Sequence, residues 1–163
     1  MTFDRDNERE FLLRAIELAG HSGRAGNRPF GAVVTAADGD MLAEGENAVA
    51  STGDITAHAE LDALRRAIDA GHGERLRGAT VYASGEPCPM CSAACVWAGI
   101  ARIVFAASAA AFAEILPDGP RFGLSCADVV ADANVGIEVE GRVYESEALA
   151  VMRDFGSDGV ADS

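Results

Sequence analysis

The sequence contains no lysine: all 13 of its basic residues are arginines, and 26 aspartate and glutamate residues outnumber them. The formal net charge is -13 at pH 7. An acidic surface repels nucleic-acid phosphates and removes the charge attraction that supplies most non-specific affinity for nucleic acids. We therefore expect no DNA or RNA partner.

Long apolar runs are also missing. No stretch approaches the ~20 residues of a membrane-spanning helix, and the segment from Thr2 to Glu10 is polar and mixed in charge, unlike a signal peptide. We therefore expect a cytoplasmic protein that does not bind a membrane. In that reducing compartment, closely spaced cysteines are typical of a metal or redox site rather than of a structural disulfide.

Neither an internal repeat nor a long linker divides the chain of 163 residues. This length suits one ordinary domain with a well-buried core, and 49% hydrophobic with 24% charged residues is a globular composition. We predict a single domain over residues 1–156 and a short flexible tail over 157–163.

Patterns typical of strands and helices alternate along the chain. We predict strands over 30–36, 41–44, 80–83, 102–106 and 136–139. We predict helices over 7–19, 57–70, 88–98, 109–115, 125–133 and 145–155. Gly20 is expected to end the first helix, Asp38-Gly39 to form a tight hairpin, and Ser125 with Asp128 to cap the fifth helix. The alternation predicts an α/β fold, a three-layer α/β/α domain with a five-stranded mixed sheet whose last two strands are parallel.

Cys88 and Cys91 follow a predicted strand and open a predicted helix. Residues three apart share one helical face, so the two sulfurs point to the same side. The helix N-terminus favours thiolates because its free N–H groups and dipole stabilise negative charge. Two thiolates in this arrangement suit a borderline-soft metal such as zinc.

A second helix opens with His58 and Glu60. One imidazole, two thiols and a free carboxylate are the elements of an open catalytic zinc site rather than a closed structural one, because three protein ligands leave a position for water. Glu60 is placed to take a proton from that water and to pass it to a ring nitrogen and a departing amine. The reaction that this arrangement suits is hydrolytic replacement of an amino group on an electron-poor ring carbon, with release of ammonia.

Two other interpretations of the cysteines remain. A thioredoxin-like redox pair also follows a strand and opens a helix, but it leaves His58 and Glu60 unexplained. A closed zinc site needs a fourth ligand, which Cys95 could offer, although a small core residue is its simpler role.

The motif His58-Ala59-Glu60 followed by Pro87-Cys88-Pro89-Met90-Cys91 resembles the signature of the zinc-dependent nucleobase and nucleoside deaminases. Over about residues 8–106 the chain is similar to the bacterial guanine deaminase branch of the cytidine deaminase-like superfamily. The matching segments are 28–34, Asn47, 56–60, 86–91 and Trp97-Ala98. The resemblance implies a cytidine deaminase-like fold and a homodimer.

The resemblance also implies residue roles. His58, Cys88 and Cys91 would bind one zinc ion per chain, and Glu60 would shuttle protons. The residues implied to contact the substrate are Phe30 and Trp97 beside the flat ring, Asn47 at its polar edge, and Asp118 as the acidic residue of a loop over 116–124. Without the resemblance, the two aromatics would be core residues and Asn47 a turn residue.

The expected substrate is a small, free aminated nucleobase, with guanine first and cytosine, isocytosine or an aminotriazine next. The similarity weakens beyond Ala107, where the last strand and helix look like those of cytosine and tRNA adenosine deaminases. A tRNA adenosine deaminase is therefore the alternative. A catalytically silent binding module on the same fold is a third hypothesis, and the retained Glu60 argues against it.

Overall fold

The computed structural model describes residues 5–156, and the predicted tail over 157–163 lies outside the described residues. The helices are α1 (Arg5–Arg24), α2 (Val49–Thr52), α3 (Ala59–Asp69), α4 (Pro89–Ala98), α5 (Ala109–Ile115), α6 (Cys126–Asp132) and α7 (Glu145–Gly156). The strands are β1 (Gly31–Thr35), β2 (Met41–Glu46), β3 (Thr80–Gly85), β4 (Arg102–Ala107) and β5 (Glu138–Glu140). A 3-10 helix spans Gly73–Leu76. No helix within this described range is both long and apolar enough to span a bilayer.

The five strands form one sheet in the order β2-β1-β3-β4-β5. Strand β1 is antiparallel to β2 and β3, whereas β3, β4 and β5 are parallel. The predicted mixed sheet and the parallel last pair are confirmed. The start of β1 and the ends of β2, β3 and β4 therefore meet at one edge of the sheet, which we call the site edge.

Alternate residues of each central strand face two separate cores, as the pleat requires. Val34, Val81 and Ile103 pack with α3, α4 and α6 on one face. Val33, Tyr82 and Val104 pack with α1, α5 and α7 on the other. The three-layer α/β/α architecture is thereby confirmed, and α3 and α4, whose first residues adjoin the predicted metal ligands, share a face.

The prediction that Gly20 ends the first helix is wrong, because α1 continues to Arg24. The glycines instead permit close packing against α7: a Cβ on Gly23 would meet the Phe155 ring at about 2.5 Å. The short α2 and the 3-10 helix were not predicted, because each is only 4 residues long. The hairpin at Asp38-Gly39 and the capping box of Ser125 and Asp128 are confirmed.

Two glycines in the β1–β2 hairpin allow helices to approach both faces of the sheet. A Cβ on Gly31 would overlap the Ala15 carbonyl oxygen of α1, and a Cβ on Gly45 would overlap the Ala59 carbonyl oxygen and the Ala63 nitrogen of α3. Contact between helix and strand backbones is possible only without a side chain between them. Gly45 therefore sets the depth at which α3 lies on the sheet.

Gly45→Ala should lower the free energy of unfolding by about 2 kcal/mol, because the added methyl group pushes α3 away from β2. Urea denaturation followed by circular dichroism measures this change. Gly136→Ala is the matched control, since a Cβ there meets nothing within 4 Å; it should change stability by less than about 0.5 kcal/mol. Equal stabilities for the two variants would contradict the packing argument.

Candidate active site

Three metal-binding side chains converge where α3 and α4 begin. The Nδ1 of His58 lies 3.6 Å from the Sγ of Cys88 and 3.6 Å from the Sγ of Cys91. All three ligand atoms lie within 4.8 Å of one another. Among residues 5–156, no other group of three or more histidine, cysteine, aspartate or glutamate side chains could hold a metal ion.

Helix N-termini position two of these three residues. His58 is the N-cap of α3, and Cys88 is the N-cap of α4, both with extended backbone. Pro89 occupies the first turn of α4, where its fixed φ suits a helix start. Cys91 lies in the same first turn, three residues after Cys88, and is fully buried. Both helices therefore direct the positive ends of their dipoles toward the cluster, which favours thiolates.

Hydrogen bonds within the cluster shift the proton affinities of its members. The thiol of Cys91 and the imidazole of His58 stabilise the Cys88 thiolate and lower its pKa to about 4. The same sulfur pair and burial raise the pKa of Cys91. The hydrogen bond to Cys88 raises the pKa of His58. The two thiols of Cys88 and Cys91 together thus lose a first proton easily and a second with difficulty, because two neighbouring thiolates repel each other.

Glu60 lies in the first turn of α3 and is only 5% exposed. Its carboxyl group lies close enough to Cys91, His58 and Cys88 for all three to influence its pKa, so it faces the cluster. Burial raises the pKa of Glu60 above its ordinary value. A buried carboxyl with raised proton affinity is typical of a group that accepts and returns a proton.

The donor set fits zinc. One imidazole nitrogen and two thiolate sulfurs match the softness of the ion, and three protein ligands are typical of catalytic rather than structural zinc sites. Cys95, one turn beyond Cys91, lies in the core beneath α4 and is not part of the group. The closed four-ligand alternative therefore lacks its fourth ligand among the described residues.

Phe30 lies at the site edge, immediately before β1. Its ring packs edge-on against Phe112 of α5, with centroids 5.1 Å apart. The guanidinium of Arg28 lies 5.7 Å from the Phe30 ring centroid and reaches the carbonyl oxygens of Leu116 and Asp118, each at 3.5 Å. Arg28 thus connects Phe30 to the loop that contains Asp118.

Asn47 follows β2 at the same edge and is 5% exposed. Its Oδ1 accepts a hydrogen bond from the backbone N–H of Val49 at 3.1 Å, and its backbone N–H donates to the Phe30 carbonyl oxygen at 3.1 Å. The buried Ser22 hydroxyl lies 2.7 Å from the carbonyl oxygen of Arg28 and 2.8 Å from that of Asn47. Asn47 and Phe30 are therefore held together by main-chain bonds.

Trp97, predicted to lie beside the substrate ring, is not close to the His58–Cys88–Cys91 cluster of its own chain. Trp97 lies near the C-terminal end of α4, and its side chain is 89% exposed. It lines a surface groove with Ile68, Leu76 and Arg77, near the end of α3. The cluster lies at the opposite ends of these two helices, so Trp97 does not flank a ring bound beside its own chain's cysteines.

From its place beside the cysteine motif, Glu86 is expected to point to solvent or to cap the cysteine helix, but the structure gives it other partners. Its two carboxylate oxygens accept hydrogen bonds from the backbone N–H groups of Ala109 and Cys126, at 3.0 Å and 2.9 Å. These partners lie 23 and 40 residues further along the chain. No local pattern could have revealed them.

The family model for the cytidine and deoxycytidylate deaminase zinc-binding region matches residues 5–107. The chain is 43% identical over 102 residues to the guanine deaminase of Bacillus subtilis, covering 62% of this chain and 65% of that protein. It is 39% identical over 145 residues to the tRNA-specific adenosine deaminase of Agrobacterium fabrum, covering 89% and 91%.

A solved structure of a guanine deaminase from Nitrosomonas europaea matches with a TM-score of 0.75 and 26% identity, covering 90% of this chain and 83% of that chain. The cytidine deaminase-like fold expected from the sequence is confirmed. The chain therefore belongs to the cytidine and deoxycytidylate deaminase family, and it is a zinc-dependent hydrolytic deaminase.

Proposed function

We propose that this protein hydrolyses the amino group of a free nucleobase to ammonia, with guanine as the preferred substrate and cytosine, isocytosine or an aminotriazine next. The observation on which the proposal rests is the buried Glu60 carboxyl facing the His58–Cys88–Cys91 cluster. The similarity to guanine deaminases over the residues around this cluster supports guanine.

In this proposal His58, Cys88 and Cys91 hold one zinc ion per chain. Zinc supplies Lewis-acid activation of a water molecule at neutral pH. The helix N-termini that begin at His58 and Cys88 offset the charge of the thiolates. The Nδ1 of His58 lies 3.6 Å from each sulfur, so the three donor atoms are already close enough to share one ion.

Glu60 moves the protons of the reaction. Water adds to the ring carbon that bears the amino group, Glu60 accepts the proton that the water loses, and the carboxyl delivers that proton to the adjacent ring nitrogen. Glu60 then takes the proton of the new hydroxyl group and passes it to the amine; the C–N bond breaks, ammonia leaves, and the hydroxyl oxygen becomes the ring carbonyl. The burial that raises the pKa of Glu60 suits it to both the base and the acid step.

Phe30, Asn47 and Asp118 orient the base. The Phe30 ring offers an apolar surface to a flat heterocycle. Because Oδ1 of Asn47 is bonded to Val49, its amide nitrogen remains to donate a hydrogen bond to an acceptor on the ring. The exposed Asp118 offers an acceptor for ring N–H and amino donors, a pairing that guanine satisfies and that favours it over bases with fewer donors.

We also propose a homodimer. The groove at the ends of α3 and α4 exposes large apolar side chains, with Ile68 56% and Trp97 89% accessible. An apolar surface of this kind supports association with a second copy. Trp97 then acts at the subunit interface rather than beside its own chain's cluster.

Purified protein should contain about one zinc ion per chain, and Cys91→Ser should retain less than about a tenth of it, because a hydroxyl replaces a thiolate ligand. Elemental analysis after gel filtration measures the ratio. Cys95→Ala is the control, since that sulfur lies outside the group, and it should keep its zinc. Full zinc in Cys91→Ser would contradict the ligand assignment.

Zinc-loaded protein should release ammonia from guanine in a screen that also contains cytosine, isocytosine, adenine, their nucleosides and aminotriazines. Glu60→Gln should lower the turnover rate by about 10²–10⁴-fold, because the amide cannot accept the proton, while zinc content stays unchanged.

Glu10→Gln, at an exposed position of α1 outside the groove that Trp97 lines, is the control for that variant and should turn over substrate like the wild type. Unchanged turnover in Glu60→Gln would remove Glu60 from the mechanism. No ammonia from any base would overturn the proposed function.

The second candidate is tRNA adenosine deamination, which the extent of the match to the Agrobacterium enzyme favours. The net charge of -13 opposes it. A filter-binding titration with tRNA should detect no binding tighter than about 10⁻⁶ M at physiological salt. Tight binding that weakens steeply with salt would instead favour the tRNA substrate.

A further inference from the structure

Glu86 lies two residues before Cys88 and joins three elements at the site edge. Its backbone N–H donates to the Ala107 carbonyl oxygen, the last residue of β4, at 2.8 Å. Its carboxylate accepts from the N–H of Ala109, the first residue of α5, and from that of Cys126, the first residue of α6. One side chain therefore binds both ends of the segment 109–126, which we call the wall segment.

The wall segment packs beside Phe30 at the site edge. Phe112 of α5 packs against the Phe30 ring, and the carbonyl oxygens of Leu116 and Asp118 contact Arg28 above that ring. The segment that leads to Cys88 and the wall segment, which contains Asp118, are thus linked through the carboxylate of Glu86.

Both helices of the wall segment also have caps of their own. The Ser108 hydroxyl accepts from the N–H of Ala111 at the start of α5, and the capping box of Ser125 and Asp128 closes the start of α6. The bonds from Glu86 satisfy further first-turn N–H groups, which have no partner inside a helix. Their particular effect is to attach already capped helices to the cysteine loop.

We propose that Glu86 is a positioning residue that holds the wall segment against the Cys88 loop and thereby determines substrate affinity rather than the rate of the chemical step. This inference rests on the proposed function insofar as the wall segment contacts a base. Its structural part, the attachment of the segment through Glu86, can be measured without any substrate.

Glu86→Gln is the informative variant, because the amide keeps one acceptor but turns an N–H donor toward a backbone N–H. In zinc-loaded full-length protein, hydrogen exchange of peptides over 108–128 should accelerate about tenfold or more, while peptides of α1 stay unchanged. Zinc content should equal that of the wild type. Glu86→Asp, which retains both oxygens on a shorter side chain, should exchange at an intermediate rate.

Glu145→Gln is the matched control. Glu145 also accepts a backbone N–H at the start of α5, that of Ser108 at 2.9 Å, but it has no bond to α6. Exchange at the start of α6 should therefore remain at the wild-type rate in this variant. Unchanged exchange over 108–128 in Glu86→Gln, or loss of its zinc, would overturn the proposal whether or not any base is turned over.

Kinetics with whichever base releases ammonia separates affinity from chemistry. Glu86→Gln should raise KM by about tenfold and leave kcat within about threefold of the wild type. A fall in kcat with unchanged KM would overturn the positioning role. If no base reacts, the proposed function fails, and the exchange experiment still decides whether Glu86 attaches the wall segment.

Discussion

The site depends on the meeting of two helix N-termini around three metal-binding side chains. His58 and Cys88 cap α3 and α4, and the helix dipoles help to offset the negative charge that gathers there. Charge still accumulates: one thiol ionises readily, while the second thiol and Glu60 hold their protons more tightly. A divalent cation is the natural partner of such a cluster, because it makes the second ionisation favourable.

The sheet supplies the geometry that this electrostatic arrangement requires. Strand β1 runs opposite to β3 and β4, so its start lies beside their ends and brings Phe30 to the loop that precedes Cys88. Gly45 lets α3 lie against β2, which fixes the height of His58 and Glu60 above the sheet. Backbone contact is stiffer than contact through flexible side chains, and the proton transfer proposed for Glu60 needs such precision.

Features that are local in the sequence were predictable, and those that depend on distant partners were not. The candidate site could be predicted because His58 with Glu60, and Cys88 with Cys91, each lie within one helical turn. Imidazole, carboxyl and thiol groups in that spacing are also chemically specific. Gly20 was misjudged as a helix end, because α7 arrives from the other end of the chain to pack against α1. The bonds of Glu86 were invisible for the same reason, since they span 23 and 40 residues.

The residues proposed to carry the reaction and those of the wall segment lie in different parts of the chain. The family match ends at residue 107, the last residue of β4, and includes the three residues that could hold a metal ion and Glu60. The wall segment lies beyond that limit and places Phe112 against Phe30 and the Asp118 loop against Arg28. In the proposed mechanism the cluster and Glu60 of the first part carry the reaction, and Phe30 and Asn47 of the first part contact the base together with Asp118 of the wall segment. Because the match to the Agrobacterium enzyme extends over 145 residues and so includes the wall segment, overall similarity identifies the chemistry and not the substrate.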